Sequence, residues 1–482
     1  MQKDMTRGPI VPIILHFLFP MFVGNVFQQL YNMADMIIVG RYVGAGALAA
    51  VGSTGTLMFL VLGFALGITA GFGILTSPRF GAKDEAGVRR SVANGTLLAL
   101  LLSLAMTLLS TAAVPWLLDL LNTPADIMED ARTYITIIFQ GLFTNVFYNM
   151  ASVFLRSVGN SKAPLFFLVF SACLNVGLDL LCIIQFRMGV AGAALAPVGS
   201  HGISVLLWII YNFEKVPGRV AGAALATVVS QGISVLLCIL YIVQKVPVLV
   251  PWREDWKLYA HETREQLRMG VPMALQFSIT ASGIMIAQAA INLFGSTAAA
   301  AYTAASKVSM LLTQGCLSMG QTMATYAGQN FGKGDLGRIR EGVKKGLRMM
   351  ALYSLLAAVV LHYLLPFLTG FFFSGDVDAA ALLPWARTYG DIAMWFYLPL
   401  SMIFIYRNAM QGVGYALAPT LCGVIELAAR GLTALVGMKT HSYAISAACD
   451  PMAWLAAGIF GWCAWQWVMR DLERSAKKGA AA

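Results

Sequence analysis

Apolar stretches of about 20 residues or more recur along this chain, from residue 11 to residue 470. In a bilayer such stretches satisfy their backbone groups only as helices. They lie at 11–40, 52–78, 90–118, 133–158, 163–186, 189–213, 219–243, 268–294, 300–328, 345–373, 388–413, 415–438 and 445–470. With 58% of its 482 residues hydrophobic and only 12% charged, the chain lacks the charge needed to cover a soluble surface. The sequence predicts an all-α polytopic membrane protein and excludes a soluble enzyme.

The net charge of +10 follows the membrane and does not point to nucleic acid. Arg79, Lys83, Arg89 and Arg90 follow the second stretch, Lys245, Arg253, Lys257, Arg264 and Arg268 lead into the one at 268, and Lys333, Arg338, Arg340, Lys344, Lys345 and Arg348 follow the one at 300–328. Asp119, Asp126, Glu129 and Asp130, and later Asp376 and Asp378, mark connections of the opposite kind. The positive-inside bias places the basic connections and both termini in the cytoplasm.

The two halves repeat one another. VGAGALAAVG at 43–52 matches FGSTAAAAYT at 294–303, and FGAKDEAGVRRSVANG at 80–95 matches FGKGDLGRIREGVKKG at 331–346, both offset by 251 residues. LRSVGNSKAP at 155–164 matches MQGVGYALAP at 410–419 at an offset of 255. This predicts two parallel six-helix bundles related by an axis along the membrane normal, with a cleft between them. The expected domains are residues 1–247, an N-terminal lobe; 248–267, a cytoplasmic connection; and 268–482, a C-terminal lobe with a short basic tail.

A second, tandem repeat creates a conflict of parity. Residues 189–217 and 219–247 agree at 20 of 29 positions, so one spanning segment has been copied in place. If both copies crossed, every later basic connection would move outside, against the charge bias. Twelve crossings plus one duplicated helical segment resolve the conflict.

Charged and amide side chains at membrane depth are costly and tend to face a bundle interior. Asn25, Gln28, Asn32 and Asp35 recur at helical spacing, giving the first helix one polar face. Asn175 and Asp179, and Asn145 and Asn149, sit four apart and so share a face. Asp35 and Asp179 are the carboxylates suited to take up a proton, or to hold a monovalent cation when ionised. The cleft is expected to be lined by Gln28, Asn32, Asn145, Gln276, Gln288 and Gln314. Glu426 and Arg430 read as a buried ion pair that fixes helix packing, whereas Asp391 and Asp450 lie near span ends and read as solvated. The five His and seven Cys show no metal-ligand spacing, and there is no phosphate-binding Gly-rich loop. No metal and no cofactor beyond a coupling ion, H+ or Na+, is expected.

NMADMIIVG at 32–40, VGAGALAAVG, GITAGFG at 67–73, FGAKDEAGVRR, FLRSVGNSKAP at 154–164 and LNVGLDLL at 174–181, with FGKGDLGRIREG and YRNAMQGVGYALAP in the second half, resemble the multidrug and toxic compound extrusion (MATE) family over residues 10–470. The resemblance implies a twelve-helix antiporter whose lobes form a V in a bacterial cytoplasmic membrane. It implies alternating-access export of cationic, lipophilic compounds in exchange for H+ or Na+, by a chain working as a monomer among membrane lipids. It also implies an N-lobe cation site at Asp35, Asn149, Asn175, Asp179 and a sixth-helix threonine. That threonine falls on Pro197 in the first tandem copy and Thr227 in the second, which makes 219–243 the expected sixth helix. The competing assignment has the first copy crossing. The family's C-lobe glutamate is replaced by Thr280, so a second sodium site is not expected there. Two other functions stay open at this point: a lipid or lipid-linked oligosaccharide flippase, and a non-transporting membrane interaction protein.

Overall fold

The computed structural model describes residues 4–38, 45–120, 123, 127–180, 219–372 and 379–481. Every regular element among them is helical. In the first half these are α1 (Ile10–Ile38), α2 (Ala45–Ile74), α3 (Thr76–Gly81), α4 (Glu85–Leu120), α5 (Met128–Gln140), α6 (Leu142–Ser157), α7 (Lys162–Leu180) and α8 (Arg219–Lys245). The second half comprises α9 (Ala260–Asn292), α10 (Ser296–Gly332), α11 (Leu336–Phe372), α12 (Ala379–Ala393), α13 (Tyr397–Gly412), α14 (Leu417–Lys439), α15 (Tyr443–Ala447) and α16 (Cys449–Ala481). Joining α2 to α3, α5 to α6, α12 to α13 and α15 to α16 across short breaks gives twelve rods, six in each half.

Eight of the described helical stretches are long and apolar enough to cross a membrane, and the α5–α6 pair, bent by 44°, makes a ninth. The longest of the remainder, α10, is rich in Ala, Ser, Thr, Gly and Gln, and is largely buried against α11, α12 and α13. A helix enclosed by other helices needs small residues for close packing more than it needs lipid solubility. Its polarity therefore reports its central position.

The repeat is visible in local geometry. Asp84 accepts the backbone N–H of Gly87 at 2.8 Å and so caps α4, and Asp335 accepts that of Arg338 at 2.9 Å and so caps α11. The turns before these helices both need a left-handed residue, which is Lys83 (φ 63°) in one half and Gly334 (φ 81°) in the other. Gly81 packs against the Gln329 backbone, and Gly332 packs against that of Pro78. At the 251-residue offset each of these two contacts is the image of the other. The pseudo-two-fold axis therefore passes between them, at the end of the molecule that carries the basic connections.

The lobes are joined at that basic end by exchanged helix starts. Ile10, Ile13, Ile14, Phe17 and Met21 of α1 share a buried cluster with Tyr326, Ile339, Val343 and Met350 of the second half. Reciprocally, α9 lies along α2. A Cβ built on Gly71 would overlap the backbone of Gly270, and one on Gly67 would stand 2.6 Å from the Met273 carbonyl oxygen. At Gly63 the nearest atoms are already side chain, 3.2 Å away on Phe277. The contact loosens turn by turn away from the basic end, which gives the V.

The second tandem copy forms α8 and packs against α5, α6 and α7 in the sixth position of the N lobe. Gly141, at the α5–α6 bend, lies against the Val228 side chain, so the missing Cβ lets α8 seat there. The first copy, 189–217, lies outside the described residues. The connection between the halves holds two short turns, Pro247–Leu249 and Arg253–Asp255, and runs into the first residues of α9. The helix starts before its apolar stretch because His261–Glu262–Thr263–Arg264 is helix-compatible though polar.

Candidate functional site

Inside the N lobe, α7 and α8 bring Asn175 to Thr227. Asn175 is fully buried, and its Nδ2 donates to Thr227 Oγ1 at 3.3 Å. Its Oδ1 is buried with no hydrogen-bond donor among the described residues. A buried acceptor left unmet costs about 1–3 kcal/mol, a cost that any donor or cation placed against this oxygen would relieve. One turn apart on α6, Asn149 Nδ2 donates to the backbone and side-chain oxygens of Asn145, both at 2.9 Å. Those bonds occupy the Asn149 nitrogen and leave its oxygen as the end that can meet a ligand. Asp35 and Asp179 fall within α1 and α7, but their side chains lie outside the described residues.

The six cleft candidates separate. Gln28 and Asn32 are exposed on α1, beyond Asn25, whose Nδ2 donates across the lobes to Ser318 Oγ at 2.9 Å. Gln288 is half-buried on α9 and donates to Asn292 Oδ1 at 2.8 Å. Asn145 stays in the N lobe with Asn149. Gln276 and Gln314 are buried. Gln276 donates to the Pro419 carbonyl at 2.6 Å and accepts from Gln411 at 3.3 Å, which ties α9 to α13 and α14 within the C lobe. Gln314 donates to the Met310 carbonyl of its own helix at 3.0 Å.

Sequence reasoning missed the latch at the basic end. Gln329 donates to the Ser157 carbonyl at 2.9 Å and accepts the Met5 backbone N–H at 2.9 Å, which holds α10 to the end of α6 and to the segment that precedes α1. Asn94 donates to Gln266 Oε1 at 2.9 Å and accepts the Tyr259 backbone N–H at 2.9 Å. Arg79 pairs with Glu262 beside it. Farther along α1 from the basic end than the Asn25–Ser318 bond, no hydrogen bond between the lobes is found among the described residues. Among the described residues, the bonds that join the lobes thus gather toward the basic end.

Asp450 corrects another expectation. It is not solvated: its Oδ1 accepts from Arg430 Nε at 2.7 Å, while Arg430 Nη2 donates to Glu426 at 2.9 Å as expected. The short α15 turns the chain back, so the first turn of α16 faces α14.

The MatE family model matches residues 20–181 and again 272–432, two matches spaced as the internal repeat is. A protein of Bacillus subtilis described as the probable multidrug resistance protein YpnP is 28% identical over 70% of this chain and 68% of its own length. The probable multidrug resistance protein NorM of Thermotoga maritima is 22% identical over 84% of this chain and 80% of its own. Among solved structures, a MOP superfamily transporter from Pyrococcus furiosus superposes with a TM-score of 0.86 at 19% identity, covering 98% of each chain. A crystal structure of a MATE protein in complex with MaL6 gives 0.85 at 19% identity, over 98% of this chain and 99% of that one.

Proposed function

Since this chain belongs to the MatE family, we propose that it is a multidrug efflux antiporter, a transporter and not an enzyme, that exports cationic, lipophilic compounds in exchange for H+ or Na+. Its ion site is formed by Asp35, Asn149, Asn175, Asp179 and Thr227. The observation that carries this reading is the Asn175–Thr227 bond, which leaves a buried amide oxygen unmet in the same lobe as two membrane-depth carboxylates. Oxygen-only ligation of this kind suits a hard monovalent cation or its replacement by protons on the carboxylates.

Export runs by alternating access. The lobes are latched at the basic end, which the charge bias assigns to the cytoplasm along with both termini. Substrate, a small organic cation, occupies the space between the lobes, where Gln28, Asn32 and Gln288 supply polar contacts. Ion binding in the N lobe and substrate binding in the cleft are linked through α1, which carries Gln28 and Asn32 on one face with Asp35. The chain works as a monomer in a bacterial cytoplasmic membrane.

The test is efflux of a panel of organic cations from vesicles reconstituted with the purified protein, under an imposed pH gradient and then an imposed sodium gradient. Transport driven by either gradient supports antiport and identifies the ion. Transport of lipid-linked sugars in place of cations, with no response to either gradient, would assign a flippase instead.

A further inference from the structure

The C lobe contains a charged cluster that the proposed export mechanism does not use. Arg430, on α14, is 2% exposed. It is held by Glu426 one turn earlier and by Asp450 on α16, and Tyr302 of α10 donates its hydroxyl to the second oxygen of Asp450 at 3.2 Å. Its remaining nitrogen, Nη1, is buried without an acceptor among the described residues and faces Gly283 of α9, where a Cβ would collide with it. The cluster is thus enclosed by α9, α10, α14 and α16, inside the lobe and away from the latch.

Its position matters more than its composition. At the 255-residue offset that relates α7 to α14, Asn175 corresponds to Arg430 and Ser171 to Glu426. In each lobe this residue bridges the fifth rod to the sixth: Asn175 to Thr227 at 3.3 Å in one, Arg430 to Asp450 at 2.7 Å in the other. The N lobe offers a neutral amide with an unmet oxygen beside the helices of Asp35 and Asp179. The C lobe offers two carboxylates already bracketing a guanidinium. Two carboxylates and one cation is also the make-up of the N-lobe site when loaded.

We propose that the C lobe holds the counterpart of the N-lobe cation site with the guanidinium of Arg430 permanently in the place of the ion. Ion exchange then runs through the N lobe alone, and the C lobe is locked in a charge state resembling the loaded one. A guanidinium cannot be released or deprotonated under physiological conditions, so the lobe is insensitive to the gradient. Removing it leaves Glu426 and Asp450 uncompensated in a buried position, which a sodium ion or a proton can relieve. This inference rests on the N-lobe reading given above, and the experiment separates the two.

The parent for the test is the Asp35→Asn/Asp179→Asn variant of the full chain, purified in detergent. Uptake is measured with sodium alone at fixed pH, as radioactive-ion binding, and with protons alone in choline medium, by an indicator dye. If the N-lobe reading holds, the parent has lost the cation binding seen in wild type; binding that is unchanged overturns that reading and leaves the C-lobe test intact. Adding Arg430→Gln to the parent is expected to create saturable uptake of one of the two ions, and to make thermal stability rise with its concentration. A folded Arg430→Gln protein that takes up neither overturns the proposal. Should it fail to fold, Glu426→Gln/Arg430→Gln removes the surplus charge and is expected to bind the same ion more weakly. Failure of both to fold in sodium as in choline, while Arg430→Lys folds, also overturns it, because the site would then need a tethered cationic side chain and could not accept an ion.

Discussion

The N lobe and the C lobe share six rods, two helix caps and a left-handed turn at matching offsets, yet they hold different polar groups at the crossing of their fifth and sixth rods. In the N lobe a neutral amide meets a hydroxyl, and one buried oxygen is left over. In the C lobe the same crossing is closed by a guanidinium between two carboxylates. A duplicated scaffold does not require duplicated chemistry. Packing sets where the crossing lies, and on the reading proposed above one residue, Asn175 or Arg430, sets whether an ion can exchange there.

The sharpest test of this difference is to remove charge from the N lobe. Asp35→Asn keeps size and hydrogen-bonding capacity, so expression should survive while ion-coupled efflux falls at least about tenfold, or about 1.4 kcal/mol. Asp179→Asn should behave alike, and the double variant should be little worse than either single one if the two carboxylates act as a unit. Vesicle efflux at wild-type rates by either variant would remove the N lobe's distinction.

Thr227 is next. Thr227→Val keeps the shape of the side chain but takes away the acceptor that Asn175 uses, a loss of about 1 kcal/mol or roughly fivefold in ion affinity. Deleting 189–218 should leave that contact and export in place, because α8 already fills the sixth position. Loss of export on deletion, with Thr227→Val unaffected, would make the first copy the working helix.

Much of this scaffold is legible in the sequence because lipid imposes length and polarity on every span. The repeat offsets locate both lobes, and the odd number of apolar stretches points to the tandem copy. Contacts between the lobes are far less legible. Gly71 against Gly270 and Gln329 against Ser157 join small or amide residues that look like ordinary exceptions within their own spans, and their partners lie in the other half of the chain. Asp450 misleads for a related reason: nearness to a span end suggests solvent, but the α15 turn folds that end back onto Arg430. Gln276 carries the polarity of a cleft residue and spends it on the Pro419 carbonyl. Spacing along a helix gives the face of a side chain, not which neighbouring helix that face meets.

A smaller effect is expected in the C lobe. Glu426→Gln removes one carboxylate but leaves Arg430 paired with Asp450, and the glutamine oxygen can still accept from Nη2. Stability should fall by about 1–3 kcal/mol, the range for weakening a hydrogen bond to a buried charged group. Efflux and its ion dependence should stay within about twofold of wild type, well short of the tenfold that separates a coupling carboxylate from a structural one. A change in ion dependence as large as that of Asp35→Asn would mean that both lobes exchange ions.

The smallest expected effect concerns the turn that the lobes build from different residues. Lys83 and Gly334 occupy equivalent places, before Asp84 and Asp335, and both adopt positive φ. A side chain in that conformation costs about 1–2 kcal/mol through crowding of its Cβ against the backbone, and glycine avoids the cost. Part of the gain is returned, since glycine loses more freedom on folding. Lys83→Gly should therefore stabilise the N lobe by about 0.5–1 kcal/mol, and Gly334→Lys should destabilise the C lobe by a similar amount. Neither turn touches Asn175, Thr227 or Arg430, so efflux should not change. Thermal unfolding of the two purified variants reads the effect. A lower midpoint for Lys83→Gly would show that the lysine makes contacts worth more than its strain, and that the two turns differ in what they hold as well as in how they bend.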